Sequence, residues 1–148
     1  MLAGRSESEL RREARVGYRA PFLLRLAEKA ASGALDEGAL LDPKRPTEDL
    51  AREIGRLDGF GPYATNAALL SLGRYDRLVL DSWIRGTVAR IHFRSPRVTD
   101  RSIERRYAPW GEWKTLACWF DCAWETWMRD ALARGAAPNA APGAGRLS

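Results

Sequence analysis

The sequence reads LDGFGPYAT at residues 57–65, between two segments that both carry the 3.6-residue apolar period of helices. Gly59 and Gly61 flank one apolar residue, so the backbone can form a tight hairpin with Phe60 turned inward. The amides of both glycines and of the next helical turn then point outward, and free amides at a helix N-terminus bind phosphate without basic side chains. The alternative is an ordinary helix–helix turn, since short turns with glycine are common.

The rest of the chain has the same helical period, and no run alternates like a half-buried strand for more than a few residues. The sequence therefore predicts an all-α fold, a helical bundle that contains a helix-hairpin-helix motif. Capping and breaking residues predict helices that open at Ser6, at Pro21, at Thr47, at Tyr63, at Asp81, at Thr99 or Asp100, and at Pro109 or Trp110.

The last of these helices is expected to reach Arg134 and to carry one apolar stripe, which we assign to the core. Its residues follow three- and four-residue steps: Trp113, Ala117, Phe120, Trp124, Trp127 and Ala131. If this tryptophan-rich face is instead exposed, we expect poor solubility or a dimer.

The chain has 148 residues and a formal net charge of +5, a size that suits one domain and a charge that favours a polyanionic partner. We expect a helical domain over residues 1–134. Ala, Gly and Pro occupy 10 of the last 14 positions, so residues 135–148 are expected to form a disordered tail.

Cysteine and histidine usage excludes several kinds of metal site. The two cysteines, Cys118 and Cys122, and the single His92 rule out four-thiolate zinc or iron–sulfur sites and two-histidine centres made by this chain alone. The cysteines share a helix face at a poor disulfide geometry, so we expect packed, reduced thiols. His92 is expected to be a lone surface or packing residue.

Neither a signal peptide nor a membrane span is evident, which predicts an intracellular, cytoplasmic protein with no membrane partner.

The sequence LDSWIR at residues 80–85 places Asp81 at a helix start, 20 residues after Gly61. Together with the hairpin, this segment resembles the helix-hairpin-helix (HhH-GPD) DNA glycosylase superfamily, which has an essential aspartate at that position, and the spacing is similar to that of its endonuclease III branch. Weaker similarity extends the resemblance to roughly residues 14–128, through the segments 17–20, 26–27 and 107–113.

The departures from the family pattern refine what the resemblance implies. Tyr63 stands where bifunctional members have a lysine nucleophile, so no lyase activity is expected. The four cysteines of the iron–sulfur branch are missing, so no cluster is expected. Asp58 replaces the usual hairpin proline. The family has several helices ahead of the segment that matches Gly17 to Ala27, whereas here about sixteen residues precede it, as in a fragment, a mis-assigned start or a shortened homologue.

The resemblance also assigns site residues. The backbone groups that would bind a DNA phosphate are those of Gly59, Gly61, Tyr63, Ala64 and Thr65. A monovalent cation at the carbonyls of Leu57 and Phe60 is the one cofactor that the resemblance suggests. Asp81, whose anion a helix N-terminus favours, would stabilise an oxocarbenium-like sugar and orient water. Its alternative role is a plain helix cap, which is compatible with the first.

Four aromatic residues are candidates for the base pocket: Tyr63, Trp83, Tyr107 and Trp110. Core packing is the alternative for each of them. Five arginines could line the DNA-facing side or form a solvated basic face: Arg85, Arg90, Arg94, Arg97 and Arg101.

The resemblance therefore implies a monofunctional DNA glycosylase of base excision repair, associated with the nucleoid. It would hydrolyse the N-glycosidic bond of an alkylated or oxidised base flipped out of double-stranded DNA. The alternatives are a DNA-binding module without catalysis and a truncated, inactive homologue.

Overall fold

A computed structural model of the chain describes residue 2, residues 4–95 and residues 98–135. Within these residues all regular secondary structure is helical and no β-strand occurs, which confirms the predicted all-α class. The described helices include none long and apolar enough to cross a bilayer. Apart from Gly135, the predicted disordered tail lies outside the described residues. The chain divides into two compact units, Met1–Val79 and Leu80–Ser148.

The described residues of the first unit form five α-helices, which we number in chain order. They are α1 (Glu7–Glu13), α2 (Ala20–Ala31), α3 (Glu37–Leu41), α4 (Thr47–Ile54) and α5 (Pro62–Ser71), with a short 3-10 helix at Gly17–Arg19. The predicted capping box opens α1, because the Ser6 hydroxyl accepts from the Glu9 amide and the Glu9 carboxylate accepts from the Ser6 amide. Pro21 lies in the first turn of α2, as predicted.

The core of the first unit lies between α4 and α5. Leu50, Ala51 and Ile54 of α4 are buried with Leu69 of α5, and the hairpin residues Leu57 and Phe60 pack against them. Burying these side chains is what holds the two helices of the hairpin motif together.

The second unit contains α6 (Ser82–Val88), α7 (Asp100–Tyr107) and α8 (Lys114–Ala133). The helix predicted to open at Asp81 changes to a π-helical turn at Ala89–Phe93 and ends at Arg94, which has a left-handed backbone. Salt bridges join these elements: Arg85 to Asp100, Arg90 to Glu125, and Lys114 to Glu104.

The predicted start of the last helix is wrong. α8 begins at Lys114 rather than at Pro109 or Trp110, and a 3-10 segment at Ala108–Trp113 precedes it. Gly111 interrupts that segment with φ 53° and ψ −122°, a conformation outside any helix. Apolar periodicity continues through this glycine, which is why the pattern predicted one helix.

The predicted core face of α8 is also wrong. Its buried residues are Thr115, Cys118, Cys122 and Ala123, whereas the stripe assigned to the core is largely exposed: Trp113, Phe120, Trp124 and Trp127. Apolar residues occupy most of the circumference of α8, so periodicity alone did not distinguish its two sides.

The two cysteines are free and buried, as predicted for packed, reduced thiols. The hydrogen bond with Cys122 and burial raise the pKa of the Cys118 thiol, which therefore stays protonated and unreactive at neutral pH.

Candidate nucleic-acid interface

The predicted hairpin is present between α4 and α5. The Leu57 amide donates to the Ile54 carbonyl at 3.0 Å, and the Phe60 amide donates to the Leu57 carbonyl at 3.1 Å. Phe60 packs on the buried residues of α4 and α5, which confirms that it turns inward. The glycines on either side of Phe60 remain exposed, so the backbone at these two positions is open to a ligand.

Helix α2 braces the hairpin from one side, a contact that the sequence analysis missed. Gly59 has φ +84°, and a Cβ placed on it would lie 2.6 Å from Cγ of Phe22. Arg25 of α2 stacks over the Phe22 ring and pairs with Asp58, with 2.9 Å between Nε and Oδ2. The negative charge that Asp58 brings to the hairpin is thus balanced by a cation from α2.

The amides of the hairpin fall into two groups, one that is hydrogen-bonded within the chain and one that has no backbone acceptor within the described residues. The Thr65 amide donates to the Gly61 carbonyl at 2.9 Å, and its hydroxyl donates to the Phe60 carbonyl. Thr65 is buried as well, so its assignment to the phosphate-binding group is corrected. Within the described residues, the amides of Gly59, Gly61, Tyr63 and Ala64 have no backbone acceptor. These four donors remain for an anion.

Gly61 is the N-cap of α5 and has no side chain to occupy the amides behind it. Its backbone is extended, with φ −73° and ψ 179°, and a Cβ placed there would meet no atom within 4 Å. The space in front of the first turn of α5 is therefore open, as the binding of a phosphate there requires.

Asp81 is the N-cap of α6, as the capping interpretation predicts. Its Oδ1 accepts from the Ile84 amide at 2.7 Å, and the residue is half-buried. Its Oδ2 has no hydrogen-bond partner within the described part of the chain. One oxygen of the carboxylate thus holds the helix while the other is available for a second role.

The arginines proposed for a basic face differ in their partners. Arg85 makes two bonds to Asp100, at 2.7 and 2.9 Å, and Arg90 is paired with Glu125. The hydrogen bond from Arg85 lowers the pKa of Asp100, so this pair stays ionised at neutral pH. Arg94 and Arg101 are exposed, and Arg97 lies outside the described residues. Two of the five guanidinium charges are therefore already matched within the chain.

The four aromatic candidates for the base pocket differ in how far their side chains are exposed. Tyr63 and Trp83 are exposed, so a flat ring face is open to a base on each. Trp110 is exposed as well, but Tyr107 packs on its ring, with 5.6 Å between centroids, and the Arg106 guanidinium lies over it. Tyr107 has no exposed surface at all. Its candidacy for stacking on a base is corrected, because a fully buried ring presents no face to a ligand.

Tyr107 instead belongs to a polar network inside the second unit. Its hydroxyl donates to Oδ2 of Asp121 at 2.8 Å and lies 3.3 Å from Nε2 of His92, which also bonds to Asp121. Burial and the hydrogen bond to Asp121 raise the pKa of Tyr107, which keeps the phenol protonated as a donor.

The prediction that His92 is a lone residue is therefore corrected, since it joins the π-helical turn to α7 and α8. The sequence signal that was available is Asp121 itself. It lies between Cys118 and Cys122 on a largely apolar helix, and a carboxylate that faces inward needs a hydrogen-bond partner.

Replacing Tyr107 by phenylalanine is expected to lower the free energy of unfolding by roughly 1–2 kcal/mol, because Asp121 loses a partner that water cannot fully replace. Urea unfolding followed by circular dichroism measures the change. The same substitution at the exposed Tyr63 is the matched control and is expected to leave stability unchanged. Equal stabilities for Tyr107→Phe and the parent chain would contradict a structural role for the network.

Comparison with known proteins adds one structural relationship. No family model and no curated protein sequence matches this chain. The structure of MBOgg1 in complex with a low-affinity DNA ligand is similar, with a TM-score of 0.71 over 84% of this chain and 22% sequence identity. The chain spans 43% of the length of that MBOgg1 chain. The two proteins share their helical fold over this region.

Proposed function

We propose that this chain binds duplex DNA through the hairpin and acts as a monofunctional DNA glycosylase on a damaged base. The observation that carries the proposal is the hairpin with its four open amides, followed 20 residues later by Asp81 at the start of α6. The fold shared with MBOgg1, a protein solved with DNA, supports the same proposal.

The hairpin would hold the DNA backbone. The oxygens of a phosphate would accept from the amides of Gly59, Gly61, Tyr63 and Ala64, which are neutral donors at the positive end of the α5 dipole. Exposed glycines at the first two positions let the phosphate approach the backbone closely. The net charge of +5 contributes a longer-range attraction that weakens with salt.

A monovalent cation at the hairpin carbonyls belongs to the same proposal. The Leu57 carbonyl accepts one hydrogen bond from the Phe60 amide, and the Phe60 carbonyl accepts one from the Thr65 hydroxyl. Each carbonyl oxygen has a second lone pair, so the donor set suits a weakly bound cation. Such a cation would add positive charge beside the DNA phosphate.

Asp81 would act on the sugar of a flipped nucleotide. As the bond from C1′ to the base nitrogen breaks, the base leaves with the bonding electron pair and the sugar develops oxocarbenium character. The Asp81 carboxylate stabilises that positive charge and orients a water molecule. The water oxygen bonds to C1′ and loses a proton, and a base that leaves as an anion takes up a proton, so the products are a free base and an abasic site.

Tyr63 explains why the proposed reaction ends at the abasic site. A lyase step needs an amine that forms a Schiff base with the sugar, and the tyrosine at this position has none. Its exposed ring, like that of Trp83, is instead suited to stacking on a base.

A second candidate is a DNA-binding module without catalysis. The four open hairpin amides, which would bind DNA without help from a catalytic residue, favour it. Such a module binds duplexes independently of lesions and with strong salt dependence. Its binding survives Asp81→Asn and weakens when Gly61 becomes valine.

Duplexes that each carry one alkylated or oxidised base distinguish the two candidates. After incubation with the protein, alkali is expected to cut the damaged strand at the lesion. Without alkali the strand is expected to stay intact, since no lyase chemistry is available. Salt-dependent binding without alkali-labile sites on any of these lesions would overturn the glycosylase proposal and support the binding module.

A further inference from the structure

The outer face of α8, with Trp113 directly before its first residue, presents a continuous apolar surface. We call this surface the α8 stripe and define it as Trp113, Ala117, Phe120, Trp124, Trp127 and Ala131. The exposed fractions of its aromatic side chains are 53% for Trp113, 56% for Phe120, 60% for Trp124 and 53% for Trp127. Trp119 lies beside the stripe and packs edge to face on Phe120 and Trp127, at 5.2 and 6.2 Å between ring centroids. Soluble monomers rarely leave so large an apolar patch in water.

The stripe has the spacing of a helix that pairs with another helix. From Ala117 to Ala131 its members alternate steps of three and four residues over 15 positions of α8, which is the heptad spacing of a coiled-coil seam. Ala117 and Ala131 each lie seven residues from Trp124, on opposite sides of it. A twofold axis near Trp124 therefore brings Ala117 of one copy opposite Ala131 of the other. The small side chains then meet at both ends of the helix pair, and the large rings meet in its middle.

Two carboxylates that border the stripe are already paired within the chain. Asp121 bonds to Tyr107 and His92, and Glu125 is paired with Arg90 and with Arg129. An identical apolar face covers this part of the stripe without stranding either carboxylate.

The exposed area is close to what a stable dimer needs. A fully covered Phe or Trp buries about 150–250 Å², so five half-exposed rings offer about 500 Å² per copy. Two copies bury about 1,000 Å² through these rings, and Leu116 and Met128 on the flanks add to it. Specific interfaces begin at about 1,000–1,200 Å² in total.

We propose that two copies of this chain associate through the α8 stripe, with the two α8 helices antiparallel about a twofold axis near Trp124. This dimer is independent of the proposed glycosylase activity, because neither Asp81 nor the hairpin takes part in it. The two proposals can therefore fail separately.

Sedimentation equilibrium over a hundredfold range of concentration tests the association. We expect the mass to rise from that of one chain, 16.5 kDa, to twice that value and no further, with a blue shift of tryptophan emission as the rings leave water. Trp124→Arg is expected to weaken the dimer at least tenfold, since the side chain occurs twice at the axis. Tyr18→Arg is the matched control, because it adds the same charge at an exposed aromatic of the first unit and is expected to leave the dimer unchanged.

Cysteine crosslinking tests the antiparallel arrangement. The double variant with Ala117→Cys and Ala131→Cys is expected to crosslink two chains on oxidation, while either single variant is not, because equivalent positions lie about 20 Å apart along antiparallel helices. A monomer at every concentration, unlimited growth in mass, a dimer that survives Trp124→Arg, or efficient crosslinking of the single variants would each overturn the proposal.

Discussion

Asp81→Asn is expected to lower the single-turnover rate of base excision about 10²–10³-fold while the protein stays folded and bound to DNA. The asparagine oxygen can still accept from the Ile84 amide, since asparagine caps helices as well as aspartate does. What is lost is the negative charge, and removing one preorganised electrostatic stabiliser costs a factor of this size. Release of the damaged base, measured with enzyme in excess over duplex, gives the rate.

Two further variants separate the charge of Asp81 from its cap. Asp36 caps α3 in the same way, accepting from the Ala39 amide at 2.9 Å, so Asp36→Asn is the matched control and is expected to leave excision unchanged. Asp81→Ala removes both the negative charge and the N-cap, so it is also expected to lower the free energy of unfolding by about 1 kcal/mol. Full excision by Asp81→Asn would show that the carboxylate is only a cap.

Gly59→Ala is expected to lower the free energy of unfolding by about 2–5 kcal/mol. An L-residue with φ +84° costs about 1–2 kcal/mol, and a methyl group 2.6 Å from Cγ of Phe22 adds about 1–3 kcal/mol of overpacking. Phe22 is itself held by the stacked Arg25, so it has little freedom to move aside. Chemical unfolding monitored by circular dichroism measures the loss.

Gly61→Ala is the matched substitution two residues later. The backbone there is extended and the space is empty, so the cost is expected to be about 1 kcal/mol or less, from the poorer N-cap. DNA binding is expected to weaken nevertheless, because the methyl group stands where the phosphate would approach. The double variant Gly59→Ala, Phe22→Ala has no clash at residue 59, but it also lacks the packed Phe22 ring. If Gly59→Ala and Gly61→Ala prove equally stable, the bracing of the hairpin by α2 is contradicted.

Local features of this protein could be predicted from its sequence with good precision. The capping box of Ser6 and Glu9, the cap at Asp81 and the inward turn of Phe60 are all present where the sequence places them. Each depends on hydrogen bonds or turn geometry between residues at most four or five positions apart, so the residues themselves contain the information.

The site was predictable only in outline, because its details depend on residues distant in the chain. The open amides of the hairpin followed from its glycines, but Phe22 and Arg25 come from α2, more than thirty residues earlier. The bond that occupies the Thr65 amide was missed for a different reason. It depends on where α5 begins. Because Gly61 is the N-cap, Thr65 is the first residue of α5 whose amide can donate to a carbonyl one helical turn earlier.

The sequence by itself determined the all-α class, the hairpin and the cap at Asp81. Only the tertiary structure decided which side of α8 is buried and that Tyr107 and His92 join Asp121 in a shared network. The physical reason is that α8 is apolar around most of its circumference, so its sequence pattern does not show which face is buried. The small Cys118, Cys122 and Ala123 are buried, and the large rings of the α8 stripe are left at the surface.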